Sequence, residues 1–235
     1  MLVEFADPER LAAGLVECLG KKQASFLARA ITMDFLSNIL KIPNIEISLA
    51  FPPGNVKQDY EDFISLYMSE EKEKEIKRKL SGVRALGLQG KSICECTKKT
   101  AEHIMKNESG ALLIIRPVSP LIDPFLMMAA LKLLRLYQVV IGPTFDGGFY
   151  LMGCNNYYPR MFEYSTDECK NIYKSVIANL NRENLIWQEL EISYSVEGPV
   201  ELNQLYDDIE SLRLAGDDVT CYHTERCLMN LRDVF

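Results

Sequence analysis

The sequence predicts a single α/β domain in three layers, with a mostly parallel central sheet covered by helices on both faces. Short apolar runs typical of buried strands alternate with helical segments of ten or more residues, and this alternation is characteristic of parallel sheets. The chain has 235 residues, of which 48% are hydrophobic, so it can bury one core of ordinary size. Because no internal repeat or interdomain linker can be recognised, residues 1–235 are taken as one domain.

The N-terminal half supplies strands and helices in alternation. Residues 20–42 carry apolar side chains at helical spacing, and Pro43 ends that helix. Residues 45–51 alternate as a strand, which a Pro-Pro-Gly sequence terminates. Residues 57–80 form a predicted helix whose opposite charges at i,i+4 spacing indicate a solvated face. The other predicted elements of this half are strands at 1–6 and 83–88 and a helix at 93–106.

The C-terminal half contains the two most compact apolar runs, at 111–115 and 139–141, each preceded by a helix. These runs are predicted to be buried strands of the parallel sheet. The residues after Gly216 have no assignment. The remaining predictions are helices at 123–135, 168–180 and 199–214 and a strand at 190–194.

Composition and charge exclude several classes of protein. The net charge of −7 and the isoelectric point near 5.1 leave no basic surplus for a nucleic-acid partner. No apolar run reaches the length of a membrane span, and the N-terminus does not resemble a signal peptide. We therefore expect a cytoplasmic protein with no nucleic-acid partner and no membrane association.

The seven cysteines are odd in number and irregularly spaced, which favours reduced thiols over a disulfide framework. Two clusters invite a metal interpretation: Cys94-x-Cys96, and Cys221-x-His223 followed by Cys227. Neither cluster has the paired spacing of a structural zinc site. Buried free cysteines are the favoured interpretation of both.

The segment from Gly142 to Gly153 has the strongest local pattern in the chain. An apolar run ends at Gly-Pro, Asp146 follows, Gly147 and Gly148 come next, and a second apolar run continues. Asp-Gly between apolar runs favours a β-hairpin on local chemistry alone. The alternative is a binding site, since a carboxylate beside flexible glycines can accept hydrogen bonds from a sugar hydroxyl or help to hold a metal ion. Its position after a buried strand supports that alternative, because open α/β sheets bind ligands there.

This segment, Gly142-Pro-Thr-Phe-Asp-Gly-Gly-Phe-Tyr-Leu-Met-Gly153, resembles the signature G-P-A-x-D-G-G-Y-Y-L-I-G of a bacterial family of nucleotide-diphospho-sugar transferases. The resemblance implies a Rossmann-like GT-A fold and glycosyl transfer from a nucleotide sugar. It implies a catalytic role for Asp146. The Pro8-Glu9-Arg10 frame resembles the family's P-G-R, and residues 162–166 resemble F-x-x-x-W-S-T. The substrate-binding residues implied in this way are Arg10, Gly147, Gly148, Tyr150 and Thr166.

The chain departs from the family pattern in the loop expected to hold the nucleotide phosphates. The family sequence P-G-R-V-K-T-R-L corresponds here to Pro8-Glu-Arg-Leu-Ala-Ala-Gly-Leu15. Ala12 replaces a lysine, Gly14 replaces an arginine and Glu9 replaces a glycine. Two cations that would form charge-assisted hydrogen bonds are lost, and a carboxylate is gained.

The resemblance also implies a bound Mg²⁺ or Mn²⁺, but Val118 stands where the family motif I-G-S-D-C-P has its metal-binding aspartate. This substitution argues against the cofactor. Ser195-Val-Glu-Gly-Pro-Val-Glu-Leu202 is similar to D-V-D-T-P-E-D-L, which makes Glu197 the one candidate for a remaining metal carboxylate. The competing interpretation of that segment is a strand-to-helix turn with Pro199 at the helix start. The sequence supports the metal site and the turn about equally.

Three hypotheses for function stay open. The first is an active transferase that binds a small-molecule nucleotide sugar; the acceptor and the oligomeric state are not specified by the sequence. The second is a catalytically inactive GT-A-like protein that binds a ligand or a partner, and the third is a nucleotidyltransferase of cofactor biosynthesis. Because each lost charge-assisted hydrogen bond forgoes about 1.5–3 kcal/mol, we expect weak or absent metal-dependent binding. Val118→Asp together with Ala12→Lys should improve it.

Overall fold

The computed structural model describes residues 2–4, 13–51, 54–88, 93–107, 110–164, 172–216 and 221–231. Within these residues one sheet has the strand order β3-β2-β1-β4-β6-β5-β7. Strand β6 runs antiparallel to both of its neighbours, and the other pairings are parallel. The strands are β1 (Leu2–Glu4), β2 (Ser48–Phe51), β3 (Arg84–Gly87), β4 (Leu112–Ile115), β5 (Val139–Pro143), β6 (Phe149–Cys154) and β7 (Trp187–Glu189).

Helices cover both faces of this sheet. They are α1 (Ala13–Ile39), α2 (Val56–Glu70), α3 (Lys74–Leu80), α4 (Ile93–Asn107), α5 (Pro124–Leu133), α6 (Ile172–Arg182), α7 (Pro199–Leu214) and α8 (Tyr222–Leu231). A short 3-10 turn occupies Pro159–Phe162. The predicted α/β architecture with a mostly parallel sheet is confirmed, and both 111–115 and 139–141 contain buried strands.

The core is divided by the alternation of side chains along the strands. On β4, Leu113 and Ile115 pack with the second half of α1 and with α2, α3 and α5, whereas Leu112 and Ile114 face α4 and α6. A third apolar cluster joins the first half of α1 to α7 and α8. Helix α1 therefore belongs to two clusters and connects the sheet to the C-terminal helices.

The first helix begins earlier than predicted and is kinked. It starts at Ala13 instead of residue 20, and it ends at Ile39, three residues before the predicted end. Gly20 has φ 76° and ψ 154°, a conformation that interrupts the helix and that glycine adopts at little cost. The first seven residues thus lie at an angle to the remainder of α1.

The predicted helix at 57–80 is two helices, because the chain leaves helical geometry at Glu71. Glu71 has φ −70° and ψ 135°, and its Oε1 accepts the backbone N–H groups of Lys72 and Glu73 at 2.7 and 2.8 Å. This local side-chain to backbone pairing competes with helix continuation.

Two segments at the C-terminal end also differ from the predictions. Strand β7 lies at Trp187–Glu189 instead of 190–194, and beyond it the chain contacts the β5 edge through an isolated bridge between Thr144 and Ser193. The segment without an assignment contains helix α8. Helix α6 is described from Ile172, so the predicted residues 168–171 lie outside the described chain, while α7 has the predicted bounds.

The buried carboxyl group of Asp34 ties α1 to α8. Asp34 is 1% exposed, and its two oxygens accept the backbone N–H groups of His223 and Thr224 at 2.9 and 2.7 Å. These N–H groups belong to the first turn of α8, which has no partners for them within the helix. Desolvation by burial raises the pKa of Asp34 to about 6 in spite of the hydrogen bonds, which lower it.

Four cysteines are free among the described side chains. Cys154 and Cys221 are buried and Cys18 and Cys227 are partly exposed, as expected for reduced thiols. Burial raises the pKa of Cys154 to about 12 and that of Cys227 to about 11. The side chains at 94, 96 and 169 lie outside the described set. Across the described ranges, no helix is both long and apolar enough to cross a bilayer.

Candidate active site at the carboxyl edge of β4 and β5

The Asp-Gly-Gly segment forms the turn of a hairpin between β5 and β6. Thr144 donates its N–H to the carbonyl of Gly148 at 3.2 Å, and Gly147 donates to the carbonyl of Thr144 at 3.0 Å. Gly147 has φ 86°, which favours glycine at that position. The hairpin interpretation is therefore correct. It does not exclude the binding-site interpretation, because the turn lies at the carboxyl edge of the parallel strands.

Asp146 is exposed at the tip of this turn, and the backbone beside it is closely packed. Its Oδ1 accepts the N–H of Gly148 at 3.4 Å. A Cβ atom at Gly148 would lie 3.0 Å from the Thr144 hydroxyl oxygen and 3.4 Å from Asp146 Oδ2. A side chain at position 148 would therefore crowd these two polar groups, and glycine leaves room for both of them.

Thr144 is a candidate residue that the sequence analysis did not select. Its side chain is 3% exposed, and its hydroxyl oxygen has no hydrogen-bond partner within the described part of the chain. Buried hydroxyl groups are normally paired, so the hydroxyl of Thr144, close to the turn that carries Asp146, needs a partner that the described residues do not supply. Only its place two residues before the aspartate could have drawn attention to it in the sequence.

Glu197 lies beside Asp146, although the two residues are far apart in the sequence. Burial is the largest cause that raises the pKa of Glu197; the charge of Asp146 and a hydrogen bond with it raise the pKa further. The Arg116 guanidinium acts in the opposite direction. These three residues therefore lie within electrostatic range of one another, and Asp146 and Glu197 are both exposed at the surface.

Arg116 follows β4 directly and is held near the hairpin. Its N–H donates to the carbonyl of Tyr150 at 2.9 Å, and its guanidinium carbon lies 5.6 Å from the centre of the Phe149 ring. The carboxyl end of β4 thus contributes a cation to the site, while the turn after β5 contributes an anion. A ligand bearing both phosphate and hydroxyl groups would find donors and acceptors here.

Val118, which the sequence resemblance aligned with a metal-binding aspartate, lies near Glu197. The carbonyl of Val118 accepts the N–H of Val196, the residue before Glu197, at 2.8 Å. The Val118 side chain is partly buried and packs against the apolar core. It therefore makes a core contact and supplies no oxygen ligand to this site.

The first turn of α1 also reaches the site. A Cβ atom at Gly14 would lie 3.0 Å from the carbonyl oxygen of Glu197 and 3.5 Å from the Cα of Gly198. A side chain at position 14 would therefore press on the backbone of Glu197. The other residues of that loop, including Arg10 and Ala12, lie outside the described residues, as does Thr166.

Tyr150, a predicted substrate-binding residue, lies in the interior. It is 0% exposed, and its hydroxyl donates to the carbonyl of Glu191 at 2.9 Å. Its ring covers Gly142, where a Cβ atom would lie 2.2 Å from the ring. Tyr150 therefore packs inside the β5–β6 hairpin. Direct contact between Tyr150 and a substrate stays a prediction.

The residues of the site are compatible with a divalent cation. Mg²⁺ is commonly held by one or two carboxylates together with substrate phosphates, and Asp146 and Glu197 are two such groups. Desolvation and, to a smaller extent, the charge of Asp146 raise the pKa of Glu197, and a bound cation would favour its carboxylate form. The described residues hold no group of three or more His, Cys, Asp or Glu side chains placed for a metal. His223 and the nearby Cys221 and Cys227 therefore do not form such a group either.

The hairpin gives a first testable prediction, for Gly142→Ala. The added methyl group would overlap the buried Tyr150 ring, so we expect the free energy of unfolding to fall by about 1–3 kcal/mol. Urea unfolding measures the difference. Gly82→Ala is the matched control, because its nearest neighbour would be 3.4 Å away, and it should change stability by less than about 0.5 kcal/mol. Equal effects of the two substitutions would contradict this packing.

Comparisons with known proteins agree with this architecture. A family model described as "Uncharacterized protein conserved in bacteria (DUF2064)" matches residues 54–166, a little under half of the chain. No protein of curated function matches the sequence. A crystal structure from Desulfovibrio desulfuricans G20, named "putative nucleotide-diphospho-sugar transferase", is similar with a TM-score of 0.80 and 20% identity, over 99% of this chain and 94% of that one.

Two nucleotide-using enzymes share the fold at greater distance. The 4-diphosphocytidyl-2C-methyl-D-erythritol synthase from Anaerococcus prevotii has a TM-score of 0.54 and 13% identity, over 89% of this chain and 94% of that one. A cytidylyltransferase from Leptospira borgpetersenii has a TM-score of 0.51 and 11% identity, over 99% and 92%. The chain thus has the fold of nucleotide-diphospho-sugar transferases and cytidylyltransferases, as the resemblance implied.

Proposed function

We propose that this protein is a nucleotide-diphospho-sugar transferase whose donor binds at the Asp146–Glu197 pair. The observation that carries the proposal is the proximity of these two carboxyls, beside Arg116, at the carboxyl edge of the sheet. Open α/β sheets bind ligands at this edge. Neighbouring carboxyl groups with a shifted pKa are common at functional sites. The fold shared with the transferase from Desulfovibrio supports the proposal.

Each residue has a distinct part in the proposed reaction. Arg116 pairs with a phosphate oxygen of the donor, and the Thr144 hydroxyl donates to a sugar or phosphate oxygen. The acceptor hydroxyl oxygen bonds to the anomeric carbon while the bond from that carbon to the diphosphate breaks. Asp146 takes the proton of the acceptor hydroxyl. A divalent cation held by Glu197 together with the donor phosphates would supply positive charge to the leaving diphosphate, which leaves Asp146 free to act as the base.

A specific pair of observations favours a second candidate, a catalytically inactive binding protein. Val118 offers no oxygen ligand, and Gly14 is packed too closely on Glu197 to be replaced by a cationic side chain. A nucleotide sugar would then bind without transfer, because electrostatic support for the leaving group is usually the largest catalytic contribution. Ligand binding without release of nucleoside diphosphate distinguishes this candidate from the transferase.

The test is a calorimetric titration with a panel of nucleotide sugars and with CTP, each with and without Mg²⁺ or Mn²⁺. We expect one nucleotide sugar to bind, and Asp146→Asn and Glu197→Gln each to weaken it at least about tenfold through the loss of one charged contact. Glu61→Gln is the control, because Glu61 lies on α2 in an exposed pair with Lys57. Equal binding by all four proteins would reject the assignment of the site, and preference for CTP would favour a nucleotidyltransferase.

The pH dependence of cation binding gives a further prediction. The pKa of Glu197 is raised, so its carboxylate form, which a cation needs, is lost at a higher pH than for an ordinary glutamate. Mg²⁺ affinity should therefore fall as the pH is lowered through this raised pKa, and the fall should be smaller in Glu197→Gln, which has lost this titrating group. Calorimetry across the acidic range tests the effect, and identical profiles for the two proteins would contradict it.

A further inference from the structure

A cavity of about 370 Å³ lies between α1, the end of α2 and α8. Its volume is within the range of sites that bind small organic molecules. The described residues that line it come from 23–33, 66–70 and 223–231, so it shares no lining residue with the candidate active site. Its contents must therefore be inferred from its own side chains.

The cavity is lined by more cationic than anionic side chains. Arg29 and Arg226 contribute two guanidinium groups, and Glu70 is the one carboxylate among the described lining residues. The Glu70 Oε2 oxygen is 3.3 Å from His223 Nδ1 but 3.9 Å from the Arg226 guanidinium, so Arg226 is only loosely paired. Its side chain is 56% exposed and can turn towards a ligand.

Arg29 has a donor without an acceptor. Its Nε atom is buried and makes no hydrogen bond to any described residue. A buried donor of a charged group is costly to leave unpaired, and buried donors are normally satisfied. Arg29 also lines the cavity, and its planar guanidinium group suits a carboxylate or phosphate.

The remaining walls are apolar. Phe26, Met33 and Leu66 line the cavity, and Phe26 is 48% exposed in the free chain. A ligand that matches both features has an anionic head and an apolar body. We propose that this cavity binds a small organic anion, whose carboxylate or phosphate pairs with Arg29 and Arg226 while its apolar part lies against Phe26 and Leu66.

The experiment is an amide NMR titration of the whole chain with benzoate, phenyl phosphate and benzyl alcohol. The first two probes distinguish a carboxylate head from a phosphate head, and the third has the apolar body without the charge. We expect saturable shifts at the amides of Arg29, Arg226 and Cys227 with at least one anion. Arg29→Met should weaken that binding about tenfold or more, as expected for one charged contact. Arg160→Met is the control, since Arg160 pairs with Glu183 outside the cavity.

Thermal unfolding separates a binding role of Arg29 from a structural one. Because Arg29→Met removes a buried donor that has no acceptor, the unfolding midpoint of the free protein should stay unchanged or rise. A lowered midpoint with unchanged anion affinity would make Arg29 a structural residue and overturn the proposal. Failure of both anions to bind, or equally tight binding of benzyl alcohol, would also overturn it.

Discussion

Replacing Asp34 by alanine should lower the free energy of unfolding by about 2–4 kcal/mol, because two buried N–H groups of α8 would lose their acceptor. Because helix α8 packs on α1, the loss should lower the stability of the overall fold and not of α8 alone. Urea unfolding followed by circular dichroism measures it. Asp123→Ala is a matched control: Asp123 caps α5 at the surface through Phe125 at 2.6 Å, and its removal should cost about 1 kcal/mol. Equal losses at both positions would contradict the role given to burial.

The same carboxyl makes stability depend on pH. Because burial raises the pKa of Asp34 to about 6, the folded state favours the protonated form more than the unfolded state does. The stability from this preference is complete below about pH 4 and is lost as the pH rises through about 6. Asp34→Asn has no group that titrates in this range. Between about pH 4 and pH 6 the wild type should therefore lose about 3 kcal/mol of stability relative to the variant. Parallel pH profiles would refute this explanation.

The second large effect is expected from restoring an oxygen ligand at position 118. Val118→Asp would put a charged side chain against the apolar core, close to the segment that carries Glu197, so the variant should be less stable without metal and, if the carboxyl turns towards Glu197, be stabilised by Mg²⁺. Its Mg²⁺-dependent affinity for a nucleotide sugar should exceed that of the wild type about 10- to 100-fold. Val118→Asn, which has the same size without the charge, should show neither change. Identical behaviour of the two variants would mean that position 118 does not face the ligand.

The layered fold could be predicted because its evidence is local. A few neighbouring residues are enough to recognise the apolar runs of β4 and β5 and the helices around them. Strand β6 was harder to predict, since its antiparallel direction depends on the turn at Thr144–Gly148. Local chemistry favoured a hairpin for that turn, whereas the family resemblance favoured a binding site. Both interpretations proved compatible, because the hairpin turn is itself at the ligand-binding edge.

The features that escaped prediction depend on residues distant in the sequence. Nothing near Asp34 indicates that it caps a helix 189 positions later, and nothing near Arg29 indicates a cavity closed by α8. The pairing of Glu197 with Asp146 likewise arises from the meeting of two loops in space. The resemblance to a family suggested both residues separately, whereas their shared electrostatics required the structure.

The central claim is that nucleotide sugars bind at the Asp146–Glu197 pair. The most direct test is an amide NMR titration of the wild-type protein with the nucleotide sugar that binds best, in the presence of Mg²⁺. We expect saturable shifts concentrated at residues 144–148 and 196–198, and we expect them to be lost in Asp146→Asn. Shifts confined to the cavity between α1 and α8, or no saturable shift with any nucleotide sugar, would contradict it.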